Sequence, residues 1–356
     1  MGPLPPEFGD VAKYKFDPRM SAKDRAATRR RIAVALATWT SRLRAYDTAK
    51  LHPNESNADV LMAAASATGA SRGSIEEKAR VAQQLLDVFD TESLCGPTSN
   101  AQDVELYNGN LGPTKEFVSG IQAATVQIQW NDNLQTVFSK PGDDAGNVSG
   151  ARWCTGTFIG GNRVITAGHC FEQRVSNFRM PTHTNSSGTR QSLSSKDLVS
   201  LFHVNFNYQV NGQTRQVRTP SVYPISSLVE FEKGGLDYAI VPLGSGADGQ
   251  PASASFSALT YSSTTSELEG ATSLTVVQHP LGEPKKVSAG SKISIGATKI
   301  SYSDVDTLDA SSGAGIVDQN ALLIGVHTDG GCSIRGGGAN SGIPLASIRS
   351  VSDVIQ

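Results

Sequence analysis

The strongest constraint on this 356-residue chain lies between Trp153 and Cys170, in the run Trp-Cys-Thr-Gly-Thr-Phe-Ile-Gly-Gly-Asn-Arg-Val-Ile-Thr-Ala-Gly-His-Cys. Two apolar stretches, Thr157 to Ile159 and Val164 to Thr166, flank Gly160-Gly161-Asn162-Arg163. Glycine and asparagine tolerate the positive φ that tight turns demand, so the spacing predicts a β-hairpin. Its second strand exits onto His169, where an imidazole can face a cleft. Alone, such a histidine is ordinarily a satisfied surface or core residue.

Two later segments give it company. Gly234-Gly-Leu-Asp237-Tyr-Ala-Ile-Val-Pro-Leu243 sets an aspartate at the start of an apolar strand. Asp306-Thr-Leu-Asp-Ala-Ser-Ser312-Gly-Ala-Gly-Ile-Val317 sets a serine among small residues. In this order, the three segments resemble the histidine, aspartate and serine-nucleophile motifs of the chymotrypsin-like (trypsin-fold) serine peptidases. The strand that carries His327 and the turn Gln278-His279-Pro-Leu-Gly-Glu-Pro-Lys-Lys286 resemble the glutamyl-endopeptidase branch of that family. The resemblance covers about residues 120–350. It implies a mainly β fold of two six-stranded antiparallel barrels, a Cys154–Cys170 disulfide across the histidine loop, and no cofactor.

The chemistry implied needs all three residue types. A serine hydroxyl is a poor nucleophile at neutral pH, so a base must take its proton as it attacks. His169 is that base, since an imidazole titrates near ~6.5 and both accepts and returns a proton. Asp237 fixes the tautomer and stabilises the imidazolium. The resemblance assigns the oxyanion hole to the backbone N–H groups of Ala310 and Ser312. Separately, each residue has a plainer reading: Asp237 as a strand-end cap, Ser312 as turn punctuation.

The departures from the family pattern bear on activity. Glycine is usual two residues before the nucleophile, and this chain has Ala310. If that position requires positive φ, alanine carries strain that glycine does not. Ser311 stands where zymogen-type trypsins carry the aspartate that pairs with a newly cut N-terminus, which argues against activation by N-terminal insertion. The expected activity is therefore a serine endopeptidase. The alternative is a catalytically weak or inactive peptidase-fold protein acting as a binding or regulatory module.

Specificity has a weaker clue. Ala321-Leu-Leu-Ile-Gly-Val-His327-Thr328-Asp-Gly330-Gly-Cys-Ser333 resembles one wall of the primary specificity pocket, with His327, Thr328 and Gly330 lining it. A histidine beside a hydroxyl suits a glutamate carboxylate at P1; a pocket-wall histidine without a charge role is the plain alternative. Asp309 near the nucleophile leaves basic specificity open. Gln278-His279-Pro-Leu-Gly-Glu-Pro-Lys-Lys286 reads as a rigid connection, its prolines fixing φ, with His279 structural.

The remaining sequence excludes more than it assigns. With 31 basic and 33 acidic side chains the chain is near neutral, which gives no support for nucleic-acid or anionic-membrane binding. No apolar stretch reaches the 18 or so residues of a membrane span, so no membrane insertion is expected. No histidine or cysteine pair has metal-ligand spacing, so no metal is expected. Asp143-Asp-Ala-Gly-Asn147 reads as a solvated hairpin tip rather than a calcium loop. The N-terminus, Met-Gly-Pro-Leu-Pro-Pro, lacks the features of a signal peptide. The disulfide implied by the resemblance nonetheless favours a secreted or cell-envelope location. For Cys95 and Cys332, a bond and two free thiols both remain open.

Periodicity divides the chain in two. Helical spacing runs from Ser21 to about Asp90, with three helices expected, the first entered through Ser21-Ala-Lys-Asp24. A linker rich in Gly, Pro and Asn follows from Leu94 to Pro113. Residues 1–112 are thus expected to form a helical N-terminal extension, acting as a propeptide, intramolecular inhibitor or partner-binding module. Residues 113–356 are expected to form the peptidase domain, which takes a protein or peptide substrate. It opens with a short helix at Phe117–Ile121 and a first strand at Thr125–Trp130.

Overall fold

In a computed structural model the described residues are 94–96, 98–173, 179–232, 235–333 and 337–356, with Glu76 alone before them. The helical extension expected over residues 1–90 otherwise lies outside the described residues. Thr91–Gln356 is one compact unit.

The unit is mainly β. A seven-stranded antiparallel sheet takes its strands from β2 (Thr125–Trp130), β3 (Arg152–Gly160), β4 (Arg163–Thr166), β7 (Phe202–Phe206), β8 (Ser221–Pro224), β9 (Glu230–Glu232) and β10 (Tyr238–Pro242). Their order is β8-β7-β2-β3-β4-β10-β9. An eight-stranded antiparallel sheet takes β1 (Gln102–Asp103), β11 (Leu274–Gln278), β12 (Lys286–Gly290), β13 (Ile293–Ile295), β14 (Ile300–Tyr302), β15 (Gly315–Asp318), β16 (Leu323–Asp329) and β17 (Asn340–Pro344), in the order β1-β12-β11-β15-β16-β17-β14-β13. A small hairpin, β5 (Thr182–Thr184) with β6 (Arg190–Ser192), stands apart.

Two β-rich halves are thus present, with seven and eight strands against the expected six and six. One extra strand comes from the linker: β1 pairs with β12, aligning Gln102 with Val287 and Asp103 with Lys286. Linker residues Leu94 to Pro113 therefore lie within the compact unit, and the boundary drawn at residue 112 falls inside it.

The predicted hairpin forms as β3 and β4, turning through Gly160, Gly161 and Asn162 at φ of 89°, 56° and 56°. The first strand is Thr125–Trp130, and the helix before it is Lys115–Gln122, N-capped by the Thr114 hydroxyl on the Phe117 N–H. Strands β2 and β3 are buried along most of their length, and the alternation of Thr125 to Trp130 sets Val126, Ile128 and Trp130 in the core. Trp130, Phe158, Phe171, Phe202 and Phe206 fill the core beneath them.

The acidic run at Asp143 is not a bare solvated tip. Asp143 accepts from the Thr184 N–H at 2.7 Å, and Asp144 pairs with Arg179 and Arg190, so these carboxylates pin the small hairpin in place. His279 is fully buried, its ring Nδ1 3.0 Å from the Glu283 carbonyl and its face stacked on Tyr208. Lys285 is also fully buried, and its ammonium donates to the Gln122 carbonyl at 2.8 Å. Burial brings its pKa down to about 7.

Candidate active site

Adjacent strands bring His169 and Asp237 together. Strands β4 and β10 pair with Thr166 opposite Ala239. His169 lies three residues past the first and Asp237 two before the second, so both leave the sheet at the same end. His169 sits on a single helical turn, Gly168–Phe171, tied to β3 by the Cys154–Cys170 disulfide that the resemblance implies. Gly168 is obligatory at this crossing, because a Cβ there would lie 2.1 Å from the Glu232 carbonyl oxygen.

One carboxylate holds the histidine twice. Asp237 Oδ1 accepts the backbone N–H of His169 at 2.8 Å, and Oδ2 lies 2.7 Å from its ring Nδ1. A carboxylate only accepts, so the ring hydrogen sits on Nδ1 and the Nε2 lone pair is left open. Burial pushes the His169 pKa down, but the hydrogen bond and charge of Asp237, helped by Glu172 and Asp329, outweigh it and leave the pKa raised. The side chain keeps about a third of its surface, 32%, open to solvent.

Ser312 comes from the other sheet, in the loop between β14 and β15. Its carbonyl accepts the Thr155 N–H at 2.9 Å and lies 3.9 Å from the Cys170 sulfur, next along the chain from His169. Gly313 allows this approach: at φ 88°, a Cβ on it would sit 1.9 Å from the Thr166 hydroxyl. The Gly313 N–H donates to the His327 carbonyl at 2.8 Å. The Ser312 backbone therefore packs against the segment that carries His169, where the two sheets meet.

Ala310 adopts the strained conformation that the sequence put in question, at φ 69°. The carbonyl before it, on Asp309, accepts the Leu281 N–H at 2.5 Å. Across a trans peptide the Ala310 N–H must then point the opposite way. Among the described residues, neither the Ala310 nor the Ser312 N–H donates to a protein acceptor. The Ser311 hydroxyl accepts the Leu308 N–H at 3.0 Å and closes the turn before the serine. Substituting Ala310→Gly removes the left-handed strain and is expected to raise stability by about 1 kcal/mol. A urea midpoint that stays put or falls would show that the strain is absent.

The specificity candidates are placed as follows. His327 lies on β16 and is fully buried, its Nδ1 bonded to the Tyr302 hydroxyl at 2.5 Å. Burial lowers its pKa to about 4, so the ring is neutral near pH 7. Its Nε2 is buried without a well-aligned partner. The Thr328 hydroxyl donates to Asp329 at 2.8 Å, and Gly330 follows the strand into the loop toward β17.

The sequence pointed to Asp309, but the buried carboxylate in this loop is Asp306. It accepts the Cys95 and Asn100 N–H groups, both at 2.7 Å. Burial raises its pKa against those bonds. Cys95 is bonded to Cys332 in the loop after β16, which closes the question left open for these cysteines.

A family model for the trypsin-like peptidase domain matches residues 154–326. Over that stretch the chain is similar to trypsin-like peptidase domains. Two solved structures are similar to it at 15% identity. One is a Glu endopeptidase in complex with MPD, with a TM-score of 0.42 over 72% of this chain and 96% of that one. The other is the VesB protease of Vibrio cholerae, with a TM-score of 0.40 over 65% and 63%. No curated protein matches the chain. Among the described residues, no cluster of metal-ligating side chains occurs and no helix is long and apolar enough to cross a membrane.

Three residues around the serine loop escaped the reading of the sequence: Thr155, Leu281 and Asp306. Each acts on the serine loop through contacts from distant parts of the chain. Leu281 left one trace, its place between Pro280 and Gly282 in a run of turn formers, where it takes φ 57°.

Proposed function

We propose that this chain is a serine endopeptidase in which Ser312 attacks the scissile carbonyl, His169 takes and returns the proton, and Asp237 orients the imidazole. The observation that carries this reading is the double hold of Asp237 on His169, which leaves Nε2 as the open acceptor, with the Ser312 carbonyl 3.9 Å from the sulfur of the next residue, Cys170. The N–H groups of Ala310 and Ser312 then stabilise the oxyanion of the tetrahedral intermediate. The acyl-enzyme on Ser312 is released by water that His169 activates in turn. At P1 the reading favours an acidic side chain, its carboxylate meeting the neutral His327 ring; the buried Nε2 of that ring favours it. Two disulfides fit an oxidising, extracellular or envelope setting.

The alternative, a peptidase-fold binding module without turnover, draws on the strain at Ala310. A serine-reactive fluorophosphonate separates the two. Labelling of the full chain that vanishes in Ser312→Ala supports the enzyme, and cleavage of a peptide library then reports P1. Labelling that emerges only after removal of residues 1–90 assigns those residues an inhibitory role. Absence of labelling in every form sinks the enzyme and leaves the binding module.

A further inference from the structure

We propose that Thr155 is a positioning residue for the oxyanion site, clamping the serine loop so that Ala310 stays in its strained conformation. The proposal rests on the serine-peptidase reading above. All three polar groups of this fully buried threonine are engaged, and two of them reach the loop directly. Its N–H donates to the Ser312 carbonyl at 2.9 Å, and its hydroxyl donates to the Ala310 carbonyl at 2.8 Å.

The hydroxyl has no freedom to do otherwise. Its oxygen accepts the His279 N–H at 3.0 Å, and an N–H can only donate. The Thr155 proton is therefore committed to Ala310. The Thr155 carbonyl in turn accepts the Thr166 hydroxyl at 2.7 Å, anchoring the residue to the strand that delivers His169.

The consequence is geometric. Leu281 holds the carbonyl on the near side of Ala310, and Thr155 holds the carbonyl on its far side and that of Ser312. The Ala310 N–H shares a peptide plane with the Asp309 carbonyl that Leu281 holds, and the Ser312 N–H shares one with the Ser311 carbonyl, which accepts the Ala314 N–H at 2.9 Å. With Thr155 fixing the Ala310 and Ser312 carbonyls on either side, both N–H groups are aimed rather than free to rotate. Glycine would hold this conformation without strain, but alanine favours a flip back to negative φ. That flip would turn the Ala310 N–H out of the site. The clamp makes alanine workable at a position that favours glycine.

The test compares Thr155→Val, which keeps shape and removes the hydroxyl, with Thr155→Ser, which keeps it. Removing an oxyanion donor outright costs about 10²–10³ in kcat, and loosening one costs less. Thr155→Val is expected to lower kcat on a small ester about 10- to 100-fold, with KM nearly unchanged. Affinity for a peptide aldehyde, which forms a tetrahedral adduct, should fall in parallel. Thr155→Ser should recover most of both. Adding Ala310→Gly to Thr155→Val should restore part of the loss, since glycine needs no clamp.

A Val variant with wild-type kcat, or a Ser variant as impaired as Val, overturns the proposal. So does a loss confined to KM. If Thr155→Val fails to fold, Thr155→Ala removes the same hydroxyl and carries the comparison. Wild-type protein must first label on Ser312 with the fluorophosphonate; failure there overturns the peptidase reading, and the clamp falls with it.

Discussion

Replacing Asp237 with asparagine is expected to lower kcat by about 10⁴-fold while leaving the fold intact. An amide donates where the carboxylate accepts, so the imidazole takes the wrong tautomer and Nε2 can no longer receive the Ser312 proton. The pH profile carries a second signature. In the wild type His169 must be neutral to act as base, and its pKa is raised, so activity should rise with pH through an inflection above the ordinary ~6.5. In Asp237→Asn the chief remaining influence is burial, which acts downward, and the residual activity should inflect at lower pH.

Stability follows with its own sign. A raised folded-state pKa means that the His169–Asp237 interaction stabilises fully below ~6.5 and fades as pH rises through the folded value. The stability gap between wild type and Asp237→Asn should thus be widest in mild acid and narrow toward alkaline pH. Denaturant titrations at pH 5.5 and 9 check this, and a gap that widens at pH 9 would contradict it.

The Cys95→Ser, Cys332→Ser pair is expected to lose more stability than removal of Cys154–Cys170. The two bridges close loops of 237 and 16 residues. On the chain-entropy account, this predicts losses of about 5 and about 3 kcal/mol. The first loss should also reach the serine loop, since the Cys95 N–H caps Asp306, six residues before Ser312. Urea unfolding of the two double variants measures the difference. Equal midpoint shifts would mean that the unfolded chain is already compact around the longer loop.

Much of this architecture is readable in the sequence because it is local. The β3–β4 hairpin announces itself through turn residues between two apolar runs, and Thr125–Trp130 through its alternating apolar residues. Motif order singles out His169, Asp237 and Ser312, and a neighbouring chemistry gives each its proposed role. What stays hidden depends on long-range register. Thr155 reads as an ordinary strand former, and nothing local says that its hydroxyl meets Ala310, 155 residues away. Asp306 likewise looks like a loop acid until the chain returns Cys95 and Asn100 to it. The linker misleads for the opposite reason: Gly, Pro and Asn signal irregular backbone, yet two of its residues suffice to make a strand.

That short strand governs how the domain can be excised. The family match begins at residue 154, and the Gly/Pro-rich stretch invites a cut near 113. Either cut strips β1 from β12 and uncovers a ladder of unpaired N–H and C=O groups at the rim of the eight-stranded sheet. Bare rims of this kind recruit further strands from other molecules. The same cut discards Cys95 and leaves Cys332 as a lone thiol beside that serine loop, able to cross-link two copies. A trimmed peptidase would therefore fail first by self-association, well before its active-site geometry was put to any test.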